Sequence, residues 1–259
     1  MTRERWIRGS LALGFAVFFL FPLFAMADFS TRDLRTGGRT LASWRNLVSD
    51  PAMLDAIGAS LGLAALTSLV LLVVLLPTLI WVRLRARWAQ GPLEFLCLLP
   101  LVVPALVIVV GLRNVYLWIA YLLGDSPLTL TFVYVVLVLP FGYRALDTAL
   151  AGVDLRTLVE AARSLGAGWT TTVVRVVIPN IWSGILAAAF ISTAVVLGEY
   201  TIASLLTFHT LPVEIVAVGG TDGRTSIAAS LAVLLFGFAL LLGLTMLTGG
   251  RRRRTSAGV

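Results

Sequence analysis

Leu63-Ala64-Ala65-Leu66-Thr67-Ser68-Leu69-Val70-Leu71-Leu72-Val73-Val74-Leu75-Leu76-Pro77-Thr78-Leu79-Ile80-Trp81-Val82 is the centre of an uncharged apolar run over residues 57–82. About 20 apolar residues in a helix cross the hydrocarbon of a bilayer. Inside that layer only a helix satisfies every backbone N–H and C=O within one segment. Comparable runs lie near 10–27, 93–112, 129–146, 181–206 and 226–248. The 129–146 run is short and ends in Pro140-Phe141-Gly142-Tyr143-Arg144. The pattern predicts an all-α polytopic membrane protein with six transmembrane helices.

Composition agrees. Of 259 residues, 59% are hydrophobic and 13% charged, and mean hydropathy is +0.97. A soluble domain has about 45–50% apolar and about 25% charged residues. All 20 basic residues are arginine. The absence of lysine excludes the P-loop GxxxxGK[ST], Schiff-base catalysis and the kinase lysine. The net charge of +7 resides in short arginine clusters beside apolar runs, so no nucleic-acid face is expected. One Cys (Cys97) and one His (His209) exclude an intrachain disulfide and a Cys/His metal cluster. No metal and no cofactor is expected, and Cys97 reads as a packing residue.

Arginine asymmetry sets the expected orientation. Arg3, Arg5 and Arg8, then Arg83, Arg85 and Arg87, then Arg144, Arg156, Arg163 and Arg175, and finally Arg251 to Arg254 flank one side. The other side holds the four arginines of 28–56 together with Arg113 and Arg224. Both termini are therefore predicted to be cytoplasmic. The chain divides into an N-terminal anchor span with an outer segment (1–56), a five-span core (57–248) with a cytoplasmic loop at about 147–179, and a basic cytoplasmic tail (249–259). Ala25-Met26-Ala27 before Asp28 has the look of a signal-peptidase site. The preceding apolar run is long for a signal peptide, which favours an uncleaved anchor.

Pro77, Pro100, Pro104 and Pro140 fall inside the runs and are expected to kink their helices. The kinks could serve simple curvature or a pathway lined by bent helices. Gly58-Ala59-Ser60-Leu61-Gly62 spells G-x-S-x-G. It opens an apolar helix without a preceding strand, and His209 is the sole available base, so a hydrolase is not expected.

The loop carries the most information. Leu155, Leu158, Val159, Ala162 and Leu165 recur on one face of a short amphipathic helix. Asp154 is a natural N-cap, and Gly166 can end the helix in the left-handed conformation. A second helical piece runs from about Trp169 to Val177, before Pro179. Such an elbow suits a groove on another protein or the membrane surface. Glu160-Ala161-Ala162, three residues, Gly166, nine residues, Val176, one residue and Ile178-Pro179 resembles the EAA loop of ABC-importer permeases, EAA-x3-G-x9-I-x-L-P. Val176 and Ile178 depart from that pattern conservatively. Ala59-Ser60-Leu61-Gly62-Leu63-Ala64, Leu99-Pro100-Leu101-Val102-Val103-Pro104 and Leu139-Pro140-Phe141 resemble further parts of the family's core, over about 57–248.

The resemblance implies a non-catalytic subunit of the bacterial inner membrane. Such a subunit pairs with a second permease and docks an ATP-binding cassette ATPase dimer. It receives substrate from an extracytoplasmic binding protein. It implies coupling roles for Glu160, Ala161, Ala162, Arg163, Gly166 and Pro179, with the loop helix as the coupling helix between spans 4 and 5. Nucleotide chemistry would then belong to the partner, in keeping with the missing lysine. Glu199, about 30 Å beyond Pro179 along a straight helix, is expected either to line the pathway with Tyr200 and Ser204 or to be an interface carboxylate. The run Gly198-Glu199-Tyr200-Thr201-Ile202-Ala203-Ser204-Leu205-Leu206 resembles spermidine/putrescine permeases. Related importers carry ferric iron, thiamine or aminoalkylphosphonate, so those solutes stay open. An ion-coupled transporter should show several intramembrane acids or inverted repeats, and the chain shows neither.

Overall fold

A computed structural model describes residues 2–33 and 37–255, with side chains from residue 7 to 246 except 34–36. The side chains of Arg3, Arg5 and Arg251–Arg254, and residues 256–259 of the expected tail, lie outside the described residues. Among the described residues there is no strand, only an isolated bridge between Arg32 and Arg39.

The helices are α1 (Thr2–Thr31), α2 (Ala42–Ser49), α3 (Pro51–Arg85), α4 (Gln90–Leu98), α5 (Ala105–Leu123) and α6 (Thr131–Ala151). They continue with α7 (Leu155–Ser164), α8 (Trp169–Thr172), a π-helical turn (Val173–Val177), α9 (Ile178–Asn180) and α10 (Trp182–Gly198). α11 (Thr201–Leu205), α12 (Leu211–Gly219) and α13 (Gly223–Thr255) complete the chain. Five segments are long and apolar enough to span a membrane: Ile7–Thr31, Pro51–Arg85, Ala105–Leu123, Pro127–Ala151 and Gly223–Met246. A sixth is α10, which continues from Trp169–Asn180 across a 76° bend.

α3, α6 and α10 form the centre, burying Leu71, Leu79 and Ile80 against Tyr134, Val138, Leu146, Ile185 and Ala188. Small residues set their spacing. A Cβ on Gly184 of α10 would strike Ala149 Cβ of α6, and one on Gly142 of α6 would meet Leu71 Cδ2 of α3 at 2.5 Å. Polar cross-links add direction. Ser68 Oγ donates to Ala189 O at 3.3 Å, and Leu211 N–H donates to Ser60 Oγ at 2.7 Å. Ser60 is thus a buried bracket between α3 and α12, which leaves no exposed nucleophile at the G-x-S-x-G run. α1 lies outside this core, its apolar side chains exposed, and packs on α13 and α2.

The third span departs from expectation. The run 93–112 is not one helix: α4 ends at Leu98, a 3-10 turn covers Leu99–Leu101, and α5 starts only at Ala105. Pro100 and Pro104 therefore break the helix where kinks were expected. Neither proline has an N–H to continue the ladder; Leu99 keeps helical backbone (φ −53°, ψ −40°) into the 3-10 turn, and the chain leaves helix at Pro104, which is extended at φ −59°, ψ 141°. The membrane segment then runs on through Arg113, which was read as an outer flank. Helix α6 likewise continues past Pro140 to Ala151, and α3 passes through Pro77 without interruption. The break leaves a cavity of about 340 Å³ between Leu99, Pro100 and Val103, the Leu112–Tyr116 side of α5, and Phe132 of α6.

Candidate functional site

The elbow forms from local rules. Asp154 accepts from Thr157 N–H at 3.2 Å and Thr157 Oγ1 at 2.7 Å, capping α7. Those bonds, the hydroxyl first, hold the Asp154 carboxyl below its ordinary range. At the other end Gly166 takes φ +83°. Its N–H donates to Arg163 O at 2.9 Å, and Ala167 N–H donates to Ala162 O at 3.1 Å. This is the Schellman pair that satisfies the last carbonyls of a helix.

Leu155, Val159 and Ala162 turn inward against the π-helical turn, while Glu160, Ala161, Arg163 and Leu165 are exposed. Leu165, expected on the apolar inner face, is instead 89% exposed. It stands at the C-cap (φ −85°, ψ 9°), beyond the helical register that would have turned it inward. Arg156 Nε donates to Glu160 Oε1 at 2.8 Å, and that contact raises the Arg156 pKa. With both side chains largely in solvent the pair adds little stability.

After Gly168 the chain re-enters helix and continues past Val177, where it was expected to stop, as far as Asn180. Ile178 N–H bonds five residues back to Val173 O, and Pro179, without an N–H, opens α9. A proline following a π turn leaves carbonyls to be satisfied, and Asn180 Nδ2 donates to Val176 O at 2.8 Å. The 76° bend at Ile181 then turns the chain into the bundle. Beside this elbow Arg83 Nη2 donates to Asp147 Oδ1 (2.5 Å) and Asp147 O (2.9 Å), tying the ends of α3 and α6. Arg87, Gln90, Glu94 and Tyr143 complete a polar cavity of about 230 Å³.

At the opposite end the break after α10 groups Glu199, Tyr200 and Ser204. Because α10 starts after the bend, Glu199 is the first residue past a 17-residue span, not a point on one straight helix from Pro179. Its carboxylate accepts three hydrogen bonds. Tyr134 Oη donates to Oε2 at 2.6 Å, Ile202 N–H to Oε1 at 2.8 Å and Ala203 N–H to Oε2 at 3.3 Å. Ser204 Oγ donates to Thr201 O at 3.1 Å, and Tyr200 is exposed. Tyr134, 65 residues away and wholly buried, is the partner that sequence reasoning missed. The segment between α1 and α3 packs at this end, with Trp44 and Leu47 of α2 against Leu211, Ala228 and Ala229. Asp28 pairs with Arg32 and Arg39, Arg224 Nη1 donates to Arg32 O at 3.1 Å, and Asp222 caps α13 through Arg224 N–H and Thr225 N–H. His209 is exposed and stands 3.8 Å from Glu214. Among the described residues no group of three or more His, Cys, Asp or Glu could hold a metal.

Residues 74–253 match the family described as binding-protein-dependent transport system inner membrane component. A probable molybdenum ABC transporter permease of Haloferax volcanii is 32% identical over 214 residues, covering 78% of each chain. The molybdenum transport system permease ModB of Azotobacter vinelandii is 32% identical over 59% of this chain and 72% of its own. The spermidine/putrescine permease PotB of Escherichia coli is 26% identical over 64% of this chain and 66% of its own. A helical bundle with a capped elbow, and a family match over residues 74–253 that takes in the elbow and the spans from the end of α3 onward, makes this chain a multi-pass inner-membrane permease subunit of the binding-protein-dependent ABC importers.

Proposed function

We propose that this subunit forms half of a translocation pathway for a small anion, with molybdenum in its oxyanion form as the leading substrate. In this reading the exposed edge of α7, from Glu160 and Ala161 through Arg163 to Leu165 and Gly166, docks one subunit of an ATPase dimer. Pro179 and the bend at Ile181 carry its movement into α10. The elbow end is cytoplasmic, and a binding protein delivers substrate at the opposite end, where Asp28, Asp222 and α12 gather. The observation that supports the coupling role is the elbow itself, an apolar Leu165 held out into solvent by a Schellman turn. An exposed leucine on so well fixed a turn is suited to a pocket on a partner.

For the substrate, support comes from the two molybdenum permeases at 32% identity and from Glu199. A carboxylate with three donors on its oxygens is a brace between α6, α10 and α11, with little capacity left for a cation. A polyamine is the second reading, favoured by the 26% identity to PotB and by the 198–206 run. The test is uptake into proteoliposomes holding this subunit with its permease and ATPase partners, given binding protein outside. ATP-dependent entry of labelled molybdate is expected. ATP-dependent entry of spermidine with no molybdate uptake would overturn the anion reading, and ATP-independent uptake would overturn the importer reading.

A further inference from the structure

Arg113 is the ninth of the 19 residues of α5. At 1.5 Å per residue it lies roughly 12 Å from Ala105 and 15 Å from Leu123, so a spanning α5 carries it near mid-bilayer. Asn114 follows it, and both are exposed. The packed side of α5 is the stripe Val109, Leu112, Tyr116 and Ile119. Tyr116 pins the helix's rotation, donating to Thr129 O at 3.2 Å and meeting the Phe208 ring edge-on at 6.2 Å. That rotation turns Asn114 directly away from the bundle and Arg113 to its flank. Among the described residues no carboxylate pairs with the Arg113 guanidinium and no group accepts a hydrogen bond from it.

A guanidinium at such depth is strongly disfavoured against hydrocarbon, and residues of this kind face a bundle interior or a water-filled path. Glu199 and Arg113 differ in how far their polar atoms are engaged. Glu199 has its oxygens occupied by Tyr134 and two backbone N–H groups, whereas Arg113 keeps its donors free. The guanidinium fork matches the paired oxygens of an oxyanion, and the adjoining carboxamide of Asn114 adds two further N–H donors.

We propose that Arg113 and Asn114 are the anion-selecting position of the translocation pathway, a water-lined point in mid-membrane where a small oxyanion is held in transit. This rests on the importer reading above and names the residues by which its substrate is chosen. Lipid contact and pairing with a carboxylate of the second permease are the competing fates of the same guanidinium.

The experiment places a single cysteine beside the guanidinium and leaves the guanidinium intact. Cys97, the single native cysteine and a buried one, is replaced by Ser, and Asn114→Cys is introduced in the assembled complex with ATPase and permease partners. Anionic and cationic membrane-impermeant thiosulfonates are compared, each rate normalised to its rate with free cysteine. Leu13→Cys on the outlying α1 is the lipid-facing control. N114C should react at least tenfold faster than L13C and should prefer the anionic reagent. Adding Arg113→Gln should abolish that preference, and molybdate, not spermidine, should slow the labelling. In the chain with native Asn114, R113Q should cut molybdate uptake at least tenfold, with R113K retaining part of it. Labelling no faster than L13C in both nucleotide-free and ATP-trapped states would overturn the proposal, as would charge preference that survives R113Q or protection by spermidine alone. Co-purification of the ATPase, measured on the same preparation, tests the importer reading separately: its loss would refute that reading, while N114C labelling still reports on the water path.

Discussion

Replacing Gly166 by valine isolates the backbone's contribution to the elbow. No atom lies within 4 Å of where its Cβ would sit, so the added side chain meets no steric resistance from neighbours. The penalty comes from φ +83° alone. A left-handed residue bearing a Cβ costs about 1–2 kcal/mol, and β-branching places valine toward the upper end. At about 1.4 kcal/mol per factor of ten, the elbow loses roughly 5- to 30-fold in population against its alternatives. An affinity that depends on the elbow falls by up to that factor. Titrating purified ATPase subunit onto the permease in nanodiscs reads this as a raised apparent Kd. Gly166→Pro is harsher, since proline fixes φ near −65° and removes the N–H that Arg163 O receives at 2.9 Å; docking should be lost altogether. Gly168 supplies the control. It also has nothing within 4 Å, but its φ is −70°, so Gly168→Val should dock as the native chain does. Equal effects at the two positions, or native docking by G166V, would refute the argument from left-handed geometry.

Three other perturbations have defined outcomes. Gly184→Val overpacks the contact with Ala149 and should cost about 1–3 kcal/mol, seen as a lower thermal midpoint in detergent and partly restored by Ala149→Gly. Ser60→Ala strips the acceptor from the buried Leu211 N–H, for about 1–3 kcal/mol of lost stability, and a serine-directed fluorophosphonate should leave the native protein unlabelled. The Asp154 carboxyl is depressed by its Thr157 bonds, so the cap's contribution is complete above the unfolded carboxylate pKa of about 3.9. It is lost as pH falls through the lower folded value. Hydrogen exchange of α7 should therefore be flat once corrected for intrinsic rates from neutral pH to about 5, and Asp154→Ala should raise it throughout that window.

What could be read from the chain divides along the range of the forces involved. The elbow was legible almost to the residue because its determinants are local: Asp154 reaches Thr157, and Gly166 closes on Arg163. Leu165 was misplaced because a periodic pattern takes no account of where the helix stops. Long apolar runs marked out five spanning helices and the bent sixth segment, since hydrocarbon demands such runs whatever their neighbours. The bend at Ile181 was not visible, because it depends on how α10 packs between α3 and α6. Nor was the link from Tyr134 to Glu199, which joins residues far apart in the chain.

The third span is the instructive case, because there two sequence signals conflicted. Hydropathy runs unbroken through Pro100 and Pro104 and stops at Arg113, which places the segment at 93–112. Backbone chemistry argues the reverse: prolines four apart remove two donors and restrict Leu99 and Val103, whereas arginine is a good helix former. The structure follows the backbone, with the break at 99–104 and the helix through Arg113. The mistaken boundary also hid the charge, since an arginine placed in a loop needs no explanation. Inside α5 it does, because a guanidinium in mid-span is costly against hydrocarbon and favours water, an anion or a partner's carboxylate beside it. Moving the boundary by about ten residues thus converts Arg113 from a topology marker into a mid-span charge, which is the premise of the proposal that it selects for anions.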